Sequence, residues 1–284
     1  MTDPDLQIRP ATPDDLDAVR AIEAGYYGNM DPWPERPDFL DHELAEGRMV
    51  VAERGGEIAG FAGGYEWSGV VYVADAFVHR EMLGQGIGTA LLERLLADSS
   101  ERFTLSSSDA RALPLYAKVG MHPVAELVYL RSTKEAAAAL EPHANVSIVT
   151  SDAVTVAAVE AAVTGRARLQ EHRFLLRAGA EPVVVISGDE TIGFAQVRAV
   201  AVGSASAAYV GPVVALDDLD VVATTALRFA ATRADHVHVA LFESGITVQR
   251  LVVSGFEEVG RDTLVATRDD LVDLARYAPL PELG

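Results

Sequence analysis

The chain has 284 residues, long enough for two compact domains that each bury a core. Its net charge of -19 would repel a phosphate backbone, and no apolar run approaches the roughly 20 residues that span a bilayer, so we expect neither nucleic-acid nor membrane binding. Cysteine is absent, which excludes disulfides, thiolate metal sites and a cysteine nucleophile. The acidic N-terminus lacks the basic and apolar regions of a secretory signal, which predicts a cytoplasmic protein.

Apolar periodicity in the first half predicts short strands alternating with helices. In chain order these are a strand over 6–12, helices over 14–24 and 37–45, a hairpin over 49–67, a strand over 70–79, a helix over 87–98, a strand over 103–108, a helix over 110–119 and a strand over 122–133. The pair Gly55-Gly56 suits the tight turn of the hairpin, and Gly120 suits a left-handed helix cap.

A similar order of elements returns after an alanine-rich linker or short helix over 134–145. Three short matches recur in the same order at nearly constant spacing: Gly60-Phe61-Ala62 with Gly193-Phe194-Ala195, Tyr72-Val73 with Tyr209-Val210, and Gly120-Met121 with Gly255-Phe256. This pattern indicates an internal duplication. We therefore predict two tandem domains, residues 1–135 and residues 146–284.

The most informative segment runs from Val78 to Leu92, where a strand leads through a glycine-rich turn, Gly84-Gln85-Gly86-Ile87-Gly88, into an apolar helix. Glycine lets backbone N–H groups approach an anion closely, and a helix N-terminus favours negative charge. The spacing is neither that of a dinucleotide-binding fingerprint nor that of a P-loop. It indicates a backbone site for a pyrophosphate.

This turn resembles the acyl-CoA loop of the GNAT superfamily of acetyltransferases, written R/Q-x-x-G-x-G/A, with its glycines at Gly86 and Gly88. The resemblance implies an α/β fold in which each domain has a mixed, mostly antiparallel sheet flanked by helices. It also implies acetyl-CoA as co-substrate, with no metal. One departure is Leu83, which stands where the family usually has Arg or Gln.

By the same resemblance, the strand that ends at Val78 pairs with the pantetheine arm, and the Val78 N–H stabilises the oxyanion formed at the thioester. The implied cofactor-binding residues are Phe77, Val78, Leu83, Gly84, Gln85, Gly86, Ile87, Gly88, Thr89 and Asp109. Asp109 replaces the usual Asn of the family.

Two residues are the candidates for catalysis. The segment Asp109–Met121 resembles the family pattern N-x-x-A-x-x-L-Y-x-K-x-G-F, which places Tyr116 as the general acid for the leaving thiolate. Asp75, in the strand before the pantetheine segment, is the candidate base, because an alkyl ammonium must lose a proton before it attacks. Packing of Tyr116 and a simple ion pair at Asp75 remain the alternatives.

The acceptor is implied to be a small-molecule or peptide amine. Four residues lie in segments that line acceptor pockets in relatives: Tyr26, Tyr27, Trp33 and Glu66. An aromatic and acidic lining suits an amine, although core packing is the alternative for each residue. The leading hypothesis is acetyl transfer to a primary amine by direct attack in a ternary complex, in a pseudo-dimeric monomer or a homodimer. The alternatives are an acyl-CoA-binding sensor and a transferase for longer acyl groups.

The second half lacks the residues for this chemistry. Where the first half has Leu83 to Gly88, the aligned stretch runs from Asp220 to Thr225 and has no glycine. Counting back from Gly255 places Leu251 where Tyr116 stands. We therefore predict that the second domain is degenerate and serves packing rather than catalysis.

Overall fold

The computed structural model describes residues 5–27, 33, 36–243 and 246–284, except for the side chains of Tyr27 and Ile246. The chain forms two compact units. The first combines residues 1–123 with 265–271 and Gly284, and the second combines residues 124–264 with 272–283. The predicted boundaries, 1–135 and 146–284, stay a prediction about where the duplicated sequence divides.

The first unit is a five-stranded sheet with four α-helices among its described residues, in the spatial order β1-β2-β3-β4-β5. In chain order its elements are β1 (Leu6–Pro10), α1 (Leu16–Tyr27), α2 (Phe39–Glu46), β2 (Arg48–Arg54), β3 (Glu57–Trp67), β4 (Val70–Val78), α3 (Ile87–Leu95), β5 (Glu101–Ser106) and α4 (Ala112–Lys118). Neighbouring strands pair antiparallel except β4 and β5, which are parallel.

The second unit has strands in the spatial order β12-β6-β11-β10-β9-β8-β7, with β13 paired to β10. Its elements are β6 (His122–Thr133), α5 (Lys134–Ala138), β7 (Val146–Thr150), α6 (Ala153–Thr164), α7 (Leu169–Arg177), β8 (Ala180–Ser187), β9 (Glu190–Val202), β10 (Ala205–Ala215), α8 (Leu219–Ala230), β11 (His236–Phe242), α9 (Ile246–Val253), β12 (Glu257–Ala266) and β13 (Tyr277–Ala278). Pro123 and the last residues of β12 belong by their contacts to the first unit.

Both units contain the same irregularity in the middle of the sheet. In the first, Gly63 pairs with Asp75 but Gly64 pairs with Val73, so that Ala74 is an extra residue in β4. In the second, the pairing of β9 and β10 shifts between Val210 and Val213. Bulges of this kind bend a strand and end regular pairing on its far side.

A core of apolar side chains lies between the sheet and the helix that follows the bulged strand in each unit. In the first unit α3 supplies Ile87, Leu91 and Leu92 to this core, and in the second α8 supplies Val222 and Leu227. These helices are amphipathic, since apolar residues recur every three or four positions. The position of each helix is therefore fixed against the bulged strand.

The predicted elements of the first half are confirmed, with ends that differ by a few residues. Gly55 and Gly56 form the predicted turn with positive φ, and Gly120 has φ 81° after α4. The segment over 134–145 contains the short helix α5. The predicted fold class, an α/β fold with a mostly antiparallel sheet and flanking helices in each of two units, is also confirmed.

Among the helices that the structure describes, none has the length and apolar character needed to cross a bilayer.

A buried charged cluster ties β13 to the helices of the second unit. The Arg168 guanidinium contacts the Glu160 carboxylate and donates to the Tyr277 hydroxyl at 2.6 Å. His172 bonds the other Glu160 oxygen at 2.8 Å. Burial by itself raises the pKa of Glu160, but Arg168 and His172 outweigh it and hold the pKa at about 2. The buried carboxylate is therefore fully compensated.

We expect Arg168→Met to lower the free energy of unfolding by about 3–5 kcal/mol, because it leaves Glu160 buried without its main counter-charge. The control is Arg131→Met in the same unit, which removes an exposed ion pair with Glu257 and is expected to change stability by about 0–1 kcal/mol. Urea unfolding of both variants measures the difference. Equal midpoints for the two variants would contradict the assigned role of the cluster.

Candidate functional site

The first unit has an uncovered strand edge immediately after the bulge. The parallel register of β4 with β5 runs only from Val70 to Tyr72. Beyond Tyr72, no strand among the described residues pairs with β4 on the side away from β3. Side chains occupy two of the backbone carbonyls in this part of β4, since Thr104 donates to Val73 O at 2.6 Å and Tyr26 donates to Val78 O at 2.7 Å. No neighbouring strand of the described residues pairs with the N–H groups that point to this side.

Val78 supplies one of these groups. The N–H of His79 donates to the carbonyl of Ala59 on β3 at 2.8 Å. Because donors alternate along an antiparallel ladder, the N–H and carbonyl of the preceding Val78 point away from β3. The carbonyl accepts a hydrogen bond of 2.7 Å from the Tyr26 hydroxyl. The predicted oxyanion donor, the Val78 N–H, thus points toward the uncovered side of β4.

The glycine-rich turn leads from this edge into α3. Gly84 and Gly86 have φ values of 77° and 83°, which L-residues with side chains rarely adopt. Gly86 is the N-cap of α3 and provides no side chain to cap it, and the first helical bond runs from Ala90 N to Gly86 O. The N–H groups of the first turn, from Ile87 to Thr89, therefore face outward without an intrahelical acceptor.

The side chains of the turn have other partners. Leu83 is half-buried and packs against the core beneath α3, which gives a physical reason for an apolar residue there. Gln85 accepts a hydrogen bond of 2.6 Å from Arg54. The Lys118 ammonium lies 3.5 Å from the Thr89 hydroxyl. Two cationic side chains, from Arg54 and Lys118, thus contact the rim of the turn.

Tyr116 is brought to the same place. It is buried in α4 and belongs to the cluster that contains Val78 and Ile87. A side chain built at Gly88 would contact Leu115 at 3.4 Å and Val78 at 3.7 Å, so α4, the first turn of α3 and the end of β4 meet closely. The structure therefore brings together the predicted acid, the predicted oxyanion donor and the glycine turn.

Asp75 and Phe77 lie on the face of β4 opposite to Val78, as strand alternation predicts. Phe77 contacts the ring of Tyr26 at 5.0 Å and that of Phe61 at 5.6 Å. Asp75 is buried, and it lies close enough to Glu43 of α2 to raise the pKa of Glu43. This face of the sheet is covered by α1 and α2.

Glu43 was not singled out by sequence reasoning, although the structure places it beside Asp75. It is fully buried, and within the described chain neither of its carboxyl oxygens has a hydrogen-bond partner. Burial, Asp75 and Glu23 raise its pKa well above the usual range. A signal was present, because Phe39, Leu40 and Glu43 share the core-facing side of a short helix, where an acid is out of place.

The predicted acceptor residues do not all lie together. Tyr26 lies at the end of β4, beneath the guanidinium of Arg80 at 4.7 Å. Trp33 is buried and stacks on Phe39 at the start of α2. Glu66 is exposed and pairs with Arg48, and alternation along β3 places it on the face away from α2. The side chain of Tyr27 lies outside the described parts of the structure.

Asp109 is held in a local turn before α4. Its carboxylate accepts from the Arg111 backbone N–H and from the Arg111 guanidinium, both at 2.9 Å. The guanidinium hydrogen bond lowers the pKa of Asp109 to about 2. A contact of Asp109 with a cofactor stays a prediction, and it would have to share this carboxylate with Arg111.

Residues 16–121 match the model of the acetyltransferase (GNAT) family. The chain carries a GNAT-family domain. The match covers α1 to α4 with the bulged strand and the glycine turn, and so contains the whole arrangement described above. No curated protein sequence matches the chain.

Solved structures are similar over nearly the full chain. A protein from Pyrococcus horikoshii assigned as an acetyltransferase is 18% identical with a TM-score of 0.75, covering 100% of this chain and 98% of that one. A tandem GNAT protein from the clavulanic acid biosynthesis pathway is 16% identical with a TM-score of 0.61, covering 94% and 100%. A GCN5-related N-acetyltransferase from Sphaerobacter thermophilus is 15% identical with a TM-score of 0.57, covering 97% and 100%. At these identities the likeness shows the fold, here a tandem GNAT fold.

In the second GNAT-like unit the corresponding strand edge is covered by the chain itself. The repeated Gly-Phe-Ala sequence pairs Gly60 with Val78 and Gly193 with Ala215, so Ala215 corresponds to Val78. The Ala215 N–H donates to the carbonyl of Arg276 at 2.9 Å. The next two residues, Tyr277 and Ala278, form β13 and continue along the edge of β10.

The helix that follows β10 also differs from α3. The turn between Leu216, which corresponds to His79, and α8 is only a few residues long, and the Asp218 side chain caps the helix by accepting from Asp220 N at 2.9 Å. The sequence alignment of Leu83–Gly88 with Asp220–Thr225 was therefore wrong, since Asp220–Thr225 lies inside α8. The glycine turn is shortened rather than substituted.

The correspondence of Tyr116 with Leu251 is supported by the backbone. Met121 N donates to Tyr116 O at 3.2 Å, and Phe256 N donates to Leu251 O at 3.0 Å. Leu251 is buried in the core and has no hydroxyl. The second unit thus lacks the candidate acid, the glycine turn and the uncovered edge.

Proposed function

We propose that this protein is an N-acyltransferase that moves an acetyl group from acetyl-CoA to a primary amine by direct attack in a ternary complex. The observation that carries the proposal is the uncovered edge of β4 beside an uncapped glycine turn. The corresponding edge in the second unit pairs with residues 277–278 of the chain, and this supports the proposal that such an edge can take an extended, hydrogen-bonding chain. The pantetheine arm of CoA, with its two amides, is such a chain.

The glycine turn would hold the pyrophosphate of CoA. The N–H groups from Ile87 to Thr89 and the helix dipole provide donors and partial positive charge, while Arg54 and Lys118 add charge at the rim. Most of these contacts come from the backbone, so the replacement of the usual Arg or Gln by Leu83 leaves them in place. Phe77, Gly84 and Gln85 complete the proposed cofactor site.

The chemical step would use three groups. The Val78 N–H stabilises the negative charge that develops on the thioester oxygen. Tyr116 donates a proton to the departing sulfur, and the acetylated nitrogen gives up the proton that restores the tyrosine. Asp75 is the proposed base that removes the first proton from the acceptor, directly or through water.

The second unit is proposed to support the fold rather than to catalyse. Its edge is closed by β13, and β13 is anchored through Tyr277 to the buried Arg168. A cofactor could bind there only after this anchored strand had left. A cytoplasmic location, and a pseudo-dimeric monomer or homodimer, remain part of the proposal.

A second candidate function is acyl-CoA binding without transfer. It is favoured by Leu83 in place of a polar residue and by the engagement of Asp109 with Arg111. The two functions differ in one measurement, because a sensor would bind acetyl-CoA but release no thiol with any amine. A thiol-release assay with acetyl-CoA and a mixed amine library therefore tests the proposal.

We expect Gly86→Ala to weaken acetyl-CoA binding at least about tenfold, because a methyl group would strain the turn and crowd the phosphate donors. The control is Gly188→Ala in the turn between β8 and β9, where glycine also has positive φ and open space around it. Both variants should lose about 1–2 kcal/mol of stability. Calorimetry that finds equal acetyl-CoA affinity in the two would contradict the proposed loop contact.

We expect Tyr116→Phe to lower kcat about 100-fold with little change in acetyl-CoA affinity, because only the proton donor is removed. Tyr209→Phe in β10 of the second unit is the matched control and should leave kcat unchanged. Steady-state kinetics with the best amine from the library measures both. Unchanged turnover in the first variant would exclude Tyr116 as the acid.

We expect one acetyl-CoA to bind per chain, because β13 closes the edge in the second unit. Isothermal titration gives the stoichiometry, and hydrogen exchange gives the location. Two equivalent sites per chain, or loss of protection at Ala215 on binding, would contradict the assignment of the second unit.

A further inference from the structure

The face of the first sheet that α1 and α2 cover contains two buried carboxyl groups side by side. Glu43 is fully buried, and Asp75 is 7% exposed. They come from different elements, α2 and β4, and both lie against Gly63 of β3. Two acids buried together are unfavourable unless a proton or a cation lies with them.

The absence of a side chain at Gly63 makes room for the Glu43 carboxyl. A Cβ at Gly63 would lie 2.3–2.5 Å from the carboxyl atoms of Glu43, so any larger residue would expel them. Within the described residues, both Glu43 oxygens lack a hydrogen-bond partner. A buried polar group without a partner typically lowers stability by about 1–3 kcal/mol, so its retention suggests a use.

The second unit provides an internal comparison. Gln196 corresponds to Gly63 and bonds His172 at 3.0 Å, and His172 bonds Glu160, which also contacts Arg168. The acid there has two basic partners. In the first unit the charged groups that shift the pKa of Glu43 are Asp75 on β4 and Glu23 on α1, and both raise it. Two other titratable side chains on the elements packed here, His42 of α2 and Tyr65 of β3, lie with their rings 5.7 Å apart.

Two aromatic residues, Tyr65 and Trp67, follow Gly63 at alternate positions of β3 and so lie on the same face of the sheet. The Tyr65 ring stacks on Trp67 at 5.4 Å and lies 6.4 Å from Phe39. Aromatic faces beside carboxyl groups attract organic cations more specifically than they attract metal ions, because an alkyl ammonium offers both a charge and an apolar surface. The site would therefore take a primary ammonium with an apolar or aromatic body.

We propose that Glu43 and Asp75 together form the binding site for the ammonium group of the acceptor. This inference rests on the proposed acetyl transfer and names the acceptor class, a cationic primary amine. In the resting site Glu43 carries a proton, and the entering ammonium displaces it, so that R-NH3+ with HA gives R-NH3+ beside A- and one free proton. The carboxylate that this leaves can then accept the proton that the amine must lose before it attacks.

The release of a proton determines the pH dependence. Burial and the neighbouring acids Asp75 and Glu23 raise the pKa of Glu43 and so favour its protonated form, whereas the cation binds to the ionised form. Affinity for a cationic amine therefore rises with pH up to the pKa of the free site. Binding of a neutral molecule of the same shape should not follow this trend.

The test uses Glu43→Gln in the full chain, with Glu46→Gln on the exposed side of the same helix as the control. Benzylamine, as its ammonium ion, and the neutral benzyl alcohol are titrated by calorimetry with CoA present, in buffers that differ in ionisation enthalpy. The wild type and Glu46→Gln should bind the ammonium at least about tenfold more tightly than Glu43→Gln. They should also release up to one proton, and Glu43→Gln should release less. Benzyl alcohol should distinguish none of the three.

Kinetics separates this inference from the proposed function. If benzylammonium binding depends on Glu43 but no amine is acetylated, the site stands and the transferase proposal fails. If amines are acetylated but Glu43→Gln changes neither their KM nor the proton release, the transferase stands and the site is overturned. Thermal unfolding shows whether each variant is folded. If Glu43→Gln does not fold, Glu43→Asp takes its place, because it keeps the acid and should retain part of the benzylammonium binding.

Discussion

In each unit of this protein a bulged strand has backbone hydrogen-bonding groups along one edge that the neighbouring strand does not pair with. The bulge at Ala74 ends the pairing of β4 with β5, and so leaves backbone donors and acceptors that need partners. In the second unit the same need at β10 is met by β13, and the N–H of Ala215 finds a carbonyl at 2.9 Å. A strand edge that the chain itself fills in one copy and leaves uncovered in the other is the structural basis of the proposed division of labour.

Buried charge shows the same contrast. In the second unit Glu160 is surrounded by Arg168 and His172, and it works as a structural anchor. In the first unit the charged neighbours that shift the pKa of Glu43 are the acids Asp75 and Glu23, and both raise it. A duplicated fold can keep its helices and sheet in both copies while it assigns stability to one set of polar residues and ligand binding to another.

The order of elements, the duplication and the glycine turn could be predicted from the sequence because they depend on local patterns. Apolar periodicity placed α3 after the turn, and the repeated Gly-Phe-Ala fixed the correspondence of β3 with β9. The alignment at Asp220 was wrong because it was made by counting residues at a constant offset. A loop of different length in the second unit shifts that offset, so the residues of α8 were compared with those of the glycine turn. Glu43 and β13 were missed because their roles depend on tertiary contacts. Glu43 is notable only because the fold places its carboxyl against Gly63 and near Asp75, and β13 is too short to show a periodic pattern.

The position of the Arg276 carbonyl in the second unit indicates how a ligand could be designed for the corresponding edge of the first unit. It approaches the Ala215 N–H in the direction from which a thioester oxygen would approach the Val78 N–H, and the two residues that follow it hold the register on the strand edge. A short extended peptide or peptidomimetic with the hydrogen-bonding pattern of residues 276–278 is therefore a starting scaffold for a competitive inhibitor, and the protein carries its own template for that compound.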